Sequence, residues 1–463
     1  MIPLSLASAA LATDGHLSGA ADPDSLITGP LVFDSRDITP GSLFCCLRGK
    51  SVDGHDFAAQ AVAAGAVAVL ATRPVDVPAL VVPDVLEAMG RIAARVASEF
   101  TGTVIGLTGS AGKTSTKDLL KSILELDGRT VATPRSFNNE IGFPVTVSRV
   151  EAGSRYLLLE MGARGLGHID SLCDIARPSI ATVLGVGSAH IGEFGSREVI
   201  ANAKAEIVRA LPAHGIAVLN GDDPLVAAMA GDTEATVITF GFGEKCDVRA
   251  EQVGMQLDGR PHFVLVHGAG RRRIDLRVHG RHNVLNALAA AATALSAGVP
   301  MDRVSQGLRE ATISSGGRME VTTRPDGVTV INDAFNASPE SVLAALAALA
   351  ALYDIAGTTR RRLAVLGEMA ELGDAAEKWH EDVAQKVISL GADHVISVGG
   401  ERAEQMVAVI AGAGLSATMA AAGMPLADQI NSWLMPGDVV LVKGSNALGL
   451  EAVARDVATL VAQ

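Results

Sequence analysis

The sequence predicts an α/β fold of three domains, with a central P-loop parallel-sheet ATPase domain and a C-terminal Rossmann-like domain. Three observations carry that expectation. At 463 residues the chain exceeds one ordinary domain, and about 150 residues per domain suggests roughly three. Over residues 103–126 an apolar run, a glycine-rich turn and a helical pattern follow one another, which is how a nucleotide-binding α/β unit opens. Beyond residue 316 short apolar strands alternate with helical stretches, as in a doubly wound sheet.

Residues 1–99 read as a small N-terminal α/β unit, with a strand at Leu31-Val32-Phe33, Ala-rich helix from Phe57 to Ala64 and a closing helix from Val85 to Phe100. The central domain spans 100–315. Its first strand, Thr103-Val104-Ile105-Gly106-Leu107, is an apolar run bounded by glycine and reads as a buried parallel strand. A helix from Ser115 to Leu126 comes next, then strands at Tyr156–Leu159, Ile180–Leu184 and Ala217–Leu219. An Ala-rich helix from Val284 to Ala297 ends at Gly298 and Pro300. The cluster Ser314-Ser315-Gly316-Gly317 marks the second boundary. Residues 316–463 then give strands at Arg362–Leu366, His394–Val398 and Val439–Val442, with helices at Ala375–Leu390 and Arg402–Ile410.

Composition narrows the function. A net charge of −13 argues against a nucleic-acid partner. The runs Arg271-Arg272-Arg273 and Arg360-Arg361-Arg362 are expected at exposed turns preceding strands. The four cysteines show no metal or disulfide spacing and read as small buried hydrophobes in a reducing compartment. The stretch Met1–Ala12 lacks the basic start of a signal peptide, and no apolar run approaches the roughly 18 residues of a membrane helix. A cytoplasmic monomer without membrane insertion is expected.

Thr108-Gly109-Ser110-Ala111-Gly112-Lys113-Thr114 is the sharpest signal. Glycines let backbone N–H groups curl around phosphate oxygens, and the next helix adds its positive end. Lys113 would lie against the β- and γ-phosphates and Thr114 would offer its hydroxyl to Mg²⁺. Leu107 stands where the general motif places its first glycine, so the loop is a shortened variant. The nucleotide site is thus assigned to Gly109, Ser110, Ala111, Gly112, Lys113 and Thr114, with ATP or GTP as ligand.

A triphosphate site also needs carboxylates or imidazoles for Mg²⁺. Glu160 comes directly after one strand pattern, and His190, in Gly187-Ser188-Ala189-His190, after another. Alone, each is more often structural; two strand-end ligands behind a phosphate loop read as metal ligands. Lys204, in Ala201-Asn202-Ala203-Lys204, reads from the pattern alone as a solvated helix lysine.

The T-G-x-x-G-K-T loop without the earlier glycine, together with Phe137-Asn138-Asn139-Glu140-Ile141-Gly142-Phe143-Pro144, Glu160-Met161-Gly162-Ala163 and Leu366-Gly367-Glu368-Met369-Ala370-Glu371-Leu372-Gly373, resembles the Mur ligase family. That family builds the peptide stem of bacterial peptidoglycan, and the likeness runs from about residue 30 to the end. Within it, these stretches are similar to the member that joins D-alanyl-D-alanine to UDP-N-acetylmuramoyl-tripeptide through an acyl phosphate.

The resemblance implies roles by position. Ser35 and Arg36 would lie near the uridine or diphosphate, and Asn138 and Asn139 at the substrate. Thr114 and Glu160 would hold one Mg²⁺, and Glu160 with His190 a second. Lys204 falls where the family carries a carbamylated lysine facing that second ion, so Lys113, His190 and Lys204 form the implied catalytic set with ATP. Asn283 and Asn286 would lie beside adenine, Arg318 at phosphate, and Asp333 and Asn336 at the nucleotide. Lys443 and Ser445 would meet the incoming dipeptide. Phe335 and Ser338 stand where the family usually has tyrosine and asparagine, and Asn446 where arginine is frequent. Four other readings share the loop: a sister ligase adding the third amino acid, a folate polyglutamate-type ligase, a P-loop switch or motor ATPase, and a silent scaffold. The first usually carries D-N-P-R in its last domain, which is absent here.

Overall fold

The computed structural model describes residues 1–49, 52–353 and 360–459 and is built on three large mixed or parallel sheets. The central sheet has nine strands. From one edge they run Thr130–Ala132, Tyr156–Glu160, Thr103–Thr108, Ile180–Val183, Ile216–Asn220, Thr236–Gly241, Val248–Met255, Pro261–His267 and Gly270–Asp275. All neighbours are parallel up to Val248–Met255, and the last two pairings are antiparallel. The parallel strands are covered on both faces. Every residue of Tyr156–Glu160 is buried, which is why they read as continuous apolar runs.

That antiparallel edge corrects one expectation. Arg271, Arg272 and Arg273 lie inside the strand Gly270–Asp275 rather than at a turn before it. The strand is the sheet's last, and Arg271, Arg272 and Arg273 reach Glu251, Asp302 and Asp275, so an edge open to pairing carries charge instead.

Helix Lys113–Glu125 comes after the phosphate loop and buries Leu119, Leu120, Ile123 and Leu124 against Leu107, Leu158 and the Ala-rich helix His282–Ser296. The small side chains of that second helix let the two pack closely, with Gly307 of helix Met301–Glu310 against Ile123 as well. On the other face one continuous core joins the first 98 residues to the central sheet. Leu6 and Ala9 of helix Leu6–Thr13 and Met89 and Ile92 of helix Val85–Ser98 belong to the same cluster as Phe143, Leu157 and Leu159. The N-terminal unit carries a five-stranded sheet, parallel except for the pairing of His16–Ser18 with Ala79–Val81. The C-terminal unit carries a six-stranded sheet, parallel except for Glu320–Thr323 on Thr329–Asn332. Among the described residues no helix is long and apolar enough to cross a membrane.

One buried ion pair ties the phosphate-loop helix to both neighbouring segments. Lys117 Nζ meets Asp118 Oδ1 at 2.8 Å, with both side chains almost fully buried. Lys117 also donates to the carbonyls of Thr133 and Arg135, while Asp118 Oδ2 accepts from the backbone N–H groups of Ser314 and Ser315. Asp118→Ala leaves a buried ammonium without its anion and frees the 314–315 linker. It is expected to cost about 3–5 kcal/mol, seen as a lowered thermal midpoint; Asp118→Asn, which keeps an acceptor for the linker, should lose less.

Candidate active site

Strand Thr103–Thr108 lies between Tyr156–Glu160 and Ile180–Val183, so the loops leaving the C-terminal ends of these strands converge at one sheet edge. Gly112, at φ 80°, turns the chain into helix Lys113–Glu125, and a Cβ there would stand 2.4 Å from Asn286 Oδ1. Lys113 Nζ donates to Gly109 O at 2.7 Å, and burial lowers its pKa, with Arg318 adding and Glu160 opposing. Among the described residues no partner reaches the buried Ser110 Oγ and Arg318 Nε, open donors beside a loop of N–H groups.

Glu160 closes its strand with 1% exposure. Its Oε2 accepts from Thr114 Oγ1 at 2.9 Å and its Oε1 from Asn138 Nδ2 at 2.7 Å. His190 Nδ1 meets the Glu371 carboxylate, and burial lowers its pKa while Glu371 opposes. Lys204, on helix Arg197–Arg209, is 5% exposed rather than solvated. Burial first, and then the charge of Lys113, bring its pKa down to about 7. No hydrogen bond reaches its amine among the described residues; Glu206, one half-turn on, is engaged by the N–H groups of Gly167, Ile169 and Asp170.

The C-terminal unit closes the other wall. The Arg318 guanidinium lies 4.0 Å over the Phe335 ring. Lys443 Nζ meets Asp333 Oδ2 at 2.6 Å and donates to Asn336 O at 3.0 Å. Glu340 accepts from Ser188 N and Oγ, and Glu371 O accepts from Gly192 N, so two acids of this unit reach the loop bearing His190. The open cleft measures about 2010 Å³ and is lined by Gly109 to Thr114, Glu160, His190, Lys204, Arg318, Asp333, Asn336, Lys443 and Ser445. That exceeds a single small-ligand pocket and has room for a nucleotide and a peptide together.

Sheet order divides the cleft into two arms. Asn220, Phe240, Arg281 and Asn286 line the side beyond Ile180–Val183. Asn138, Asn139, Glu140 and Arg164 come after the strands Thr130–Ala132 and Tyr156–Glu160 on the opposite side, where Phe33 and Phe137 join them with ring centroids 6.0 Å apart. Asn283 is fully buried and donates to His279 O, while Asn286 donates to Asn283 Oδ1; the pair backs the phosphate loop. Asn139 Oδ1 accepts from Gly142 N.

Ser35 and Arg36 do not line the cleft. They lie on a short turn capped by Asp34, whose carboxylate also pairs with the Arg36 guanidinium. Their neighbours Phe33, Asp34 and Asp37 line a second cavity of about 470 Å³ with Arg149, and Phe33 and Phe137 border both cavities. Within Gly367–Gly373, Glu368 accepts from the N–H groups of Gly400, Arg402 and Ala403 and so caps a helix, whereas Glu371 reaches the cleft. Glu340, Glu371, His282 and Arg164 line the cleft without having been assigned to it from sequence. Glu371 lies inside the 366–373 stretch that the sequence marks, and His282 directly precedes Asn283; Glu340 gives no local signal.

Residues 31–97 match the model described as Mur ligase family, catalytic domain; 107–294 match Mur ligase middle domain; and 317–446 match Mur ligase, glutamate ligase domain. The UDP-N-acetylmuramoyl-tripeptide–D-alanyl-D-alanine ligase of Mycobacterium tuberculosis is 45% identical over 98% of this chain and 97% of its own. A structure of UDP-N-acetylmuramoylalanyl-D-glutamyl-2,6-diaminopimelate–D-alanyl-D-alanyl ligase from Acinetobacter baumannii is 30% identical, covers 98% of both chains and has a TM-score of 0.82. MurF ligase from Thermotoga maritima in complex with ADP is 29% identical, covers 93% of this chain and 97% of its own, with a TM-score of 0.79.

Proposed function

The chain belongs to the Mur ligase family, and from that premise we propose that it joins D-alanyl-D-alanine to the terminal carboxylate of UDP-N-acetylmuramoyl-tripeptide, using ATP. The observation that carries the reading is the pairing of a phosphate loop with a two-armed cleft, one arm for nucleotide and one leading to the N-terminal cavity. A carboxylate and an amine do not condense usefully in water, so the carboxylate is first activated. It attacks the γ-phosphorus in line, giving an acyl phosphate and ADP. The free amine of the dipeptide then attacks the acyl carbon, loses a proton, and inorganic phosphate departs. No side-chain nucleophile is needed, and positioning and electrostatics carry the acceleration.

Lys113 answers charge on the transferred phosphoryl group, with Arg318 entering from the third domain and Asn283 and Asn286 holding the loop from behind. Lys443 shapes the loop of Asp333 and Asn336 around the nucleotide, and Ser445 adjoins the dipeptide. Ser35 and Arg36 would serve the UDP end from the turn whose neighbours Phe33, Asp34 and Asp37 line the second cavity. The domain limits 1–99, 100–315 and 316–463 accord with the three sheets.

The residues fit Mg²⁺. The Thr114 hydroxyl and Glu160 carboxylate are hard oxygen donors already in contact, and among the described residues no cage of three His, Cys, Asp or Glu exists. An ion that keeps its waters and leans on phosphate needs few protein ligands. Thr114 and Glu160 would hold one ion, and Glu160, His190 and Lys204, once carbamylated, the second. Bound there, the ions offset charge on the phosphoryl oxygens. The amine of Lys204, with a pKa of about 7 and no hydrogen-bond partner among the described residues, suits carbamylation, which requires the uncharged form.

The test is phosphate release by the purified protein with ATP, Mg²⁺ and UDP-tripeptide, D-alanyl-D-alanine, both or neither, with products weighed by mass spectrometry. Only the complete mixture should yield the pentapeptide precursor. Equal phosphate release without acceptors would instead favour a switch or motor ATPase.

A further inference from the structure

The acceptor arm holds two opposite charges that the described residues leave unanswered. Of the carboxylates lining the cleft, Glu160, Asp223, Asp333, Glu340 and Glu371 each take a hydrogen bond or ion pair from a protein group. Glu140 is exposed and lines the same cleft, and no ion pair or hydrogen bond reaches its carboxylate among the described residues. Arg164 is its counterpart: exposed, cleft-lining, and with no carboxylate beside its guanidinium among the described residues. Arg281 is similarly open but belongs to the other arm, beside His282 and Asn283.

The loops bearing these two charges are fixed to each other and to Glu160. Gly162 N donates to Asn138 O at 2.9 Å, and a Cβ on Gly162 would stand 2.9 Å from Asn138 Oδ1. The same Asn138 donates to Glu160 at 2.7 Å. Glu140 stands two residues beyond Asn138, and Arg164 two beyond Gly162. A precursor entering past Phe33 and Phe137 must bring its reacting carboxylate to Lys113 and Glu160. The third residue of the peptide owns that carboxylate, so its side chain branches within reach of both loops.

We propose that Glu140 and Arg164 read the far end of that third side chain, Arg164 pairing with a carboxylate and Glu140 with an ammonium. The arm then selects a diamino diacid over a diamino monoacid. This rests on the proposed ligase activity and names the class of third residue it takes. A lysine-type end satisfies Glu140 but presents a like charge to Arg164, which is discrimination by repulsion as well as by a lost pair. A diaminopimelate-type end answers both, and guanidinium matches carboxylate with two parallel hydrogen bonds.

The experiment compares kcat/KM of the full chain, with ATP, Mg²⁺ and D-alanyl-D-alanine, on UDP-tripeptides ending in diaminopimelate or lysine. Wild type should favour diaminopimelate by about 10- to 100-fold, the range of one charged hydrogen bond. Arg164→Ala should collapse that ratio to within about threefold, through KM on the diacid substrate, and Arg164→Lys should restore part of it. Glu140→Gln should weaken both substrates by about tenfold while the ratio stands. A wild-type ratio near one, or an Arg164→Ala loss that is parallel on both substrates, overturns the proposal. No ligated product from either substrate overturns the ligase reading itself, and the subsite with it. Unchanged melting midpoints of these surface variants guard against misfolding.

Discussion

Lys113→Ala is expected to lower kcat by about 1000-fold while the affinity for the UDP-linked tripeptide stays within about threefold. The split arises from where the side chain stands. Lys113 opens the helix behind the phosphate loop, and its amine touches the loop's own Gly109 carbonyl at 2.7 Å, poised over the place where a terminal phosphate would lie. On the proposed reading the UDP end would lie at the other side of Phe33 and Phe137, in the second cavity, whose lining includes no residue of the phosphate loop. Phosphoryl transfer spreads charge over three equatorial oxygens, and a fixed cation in a half-desolvated site counts for far more there than in water. Lys113→Arg should recover little, because a planar fork cannot replace a compact charge inside a turn shaped by Gly109 and Gly112. The measurement pairs steady-state ADP release with calorimetric binding of the UDP-tripeptide. A kcat within tenfold of wild type would place the phosphoryl group elsewhere.

How much of the fold and site can be read from sequence depends on how local each constraint is. Residues 108–114 are legible because one turn, one strand and one helix dictate them; the structure starts the helix at Lys113, two residues before the expected Ser115, since Gly112 takes the turn conformation. Parallel strands such as Tyr156–Glu160 declare themselves as unbroken apolar runs because helices cover both faces. Arg271–Arg273 mislead because basic runs commonly mark turns. The hairpin signal is His267-Gly268-Ala269-Gly270, with Gly268 at φ 54°, after the alternating strand Pro261–His267. Other contacts have no local signal at all. Glu340 on Ser188 and Glu371 on His190 join residues 152 and 181 positions apart. Asp118 reaches a linker 196 positions away. Lys204 is the sharpest case: its helix pattern reads as solvated, and only the tertiary packing buries it.

Lys204→Ala is expected to lower kcat by about 100-fold, and added formate or acetate should restore about tenfold of that. A lysine 5% exposed would ordinarily need an acceptor for its ammonium, yet among the described residues none touches it, and Glu206 is committed to three backbone N–H groups. An unpaired buried ammonium is costly, so the amine either sheds its proton or is converted into something the site can use. Carbamylation does the latter. It would consume the neutral amine and carbon dioxide, form one N–C bond, release a proton and leave a carboxylate in the cleft that Glu160 and His190 also line. A plain structural lysine would make Lys204→Ala a packing defect, which small carboxylates could not mend and which thermal unfolding would register. Chemical rescue without a change in melting midpoint therefore separates the two roles. A carbon-13 carbamate signal in wild-type protein equilibrated with labelled bicarbonate, absent from Lys204→Ala, would locate the modification; its absence from wild type, with no rescue, would leave Lys204 an unmodified core residue.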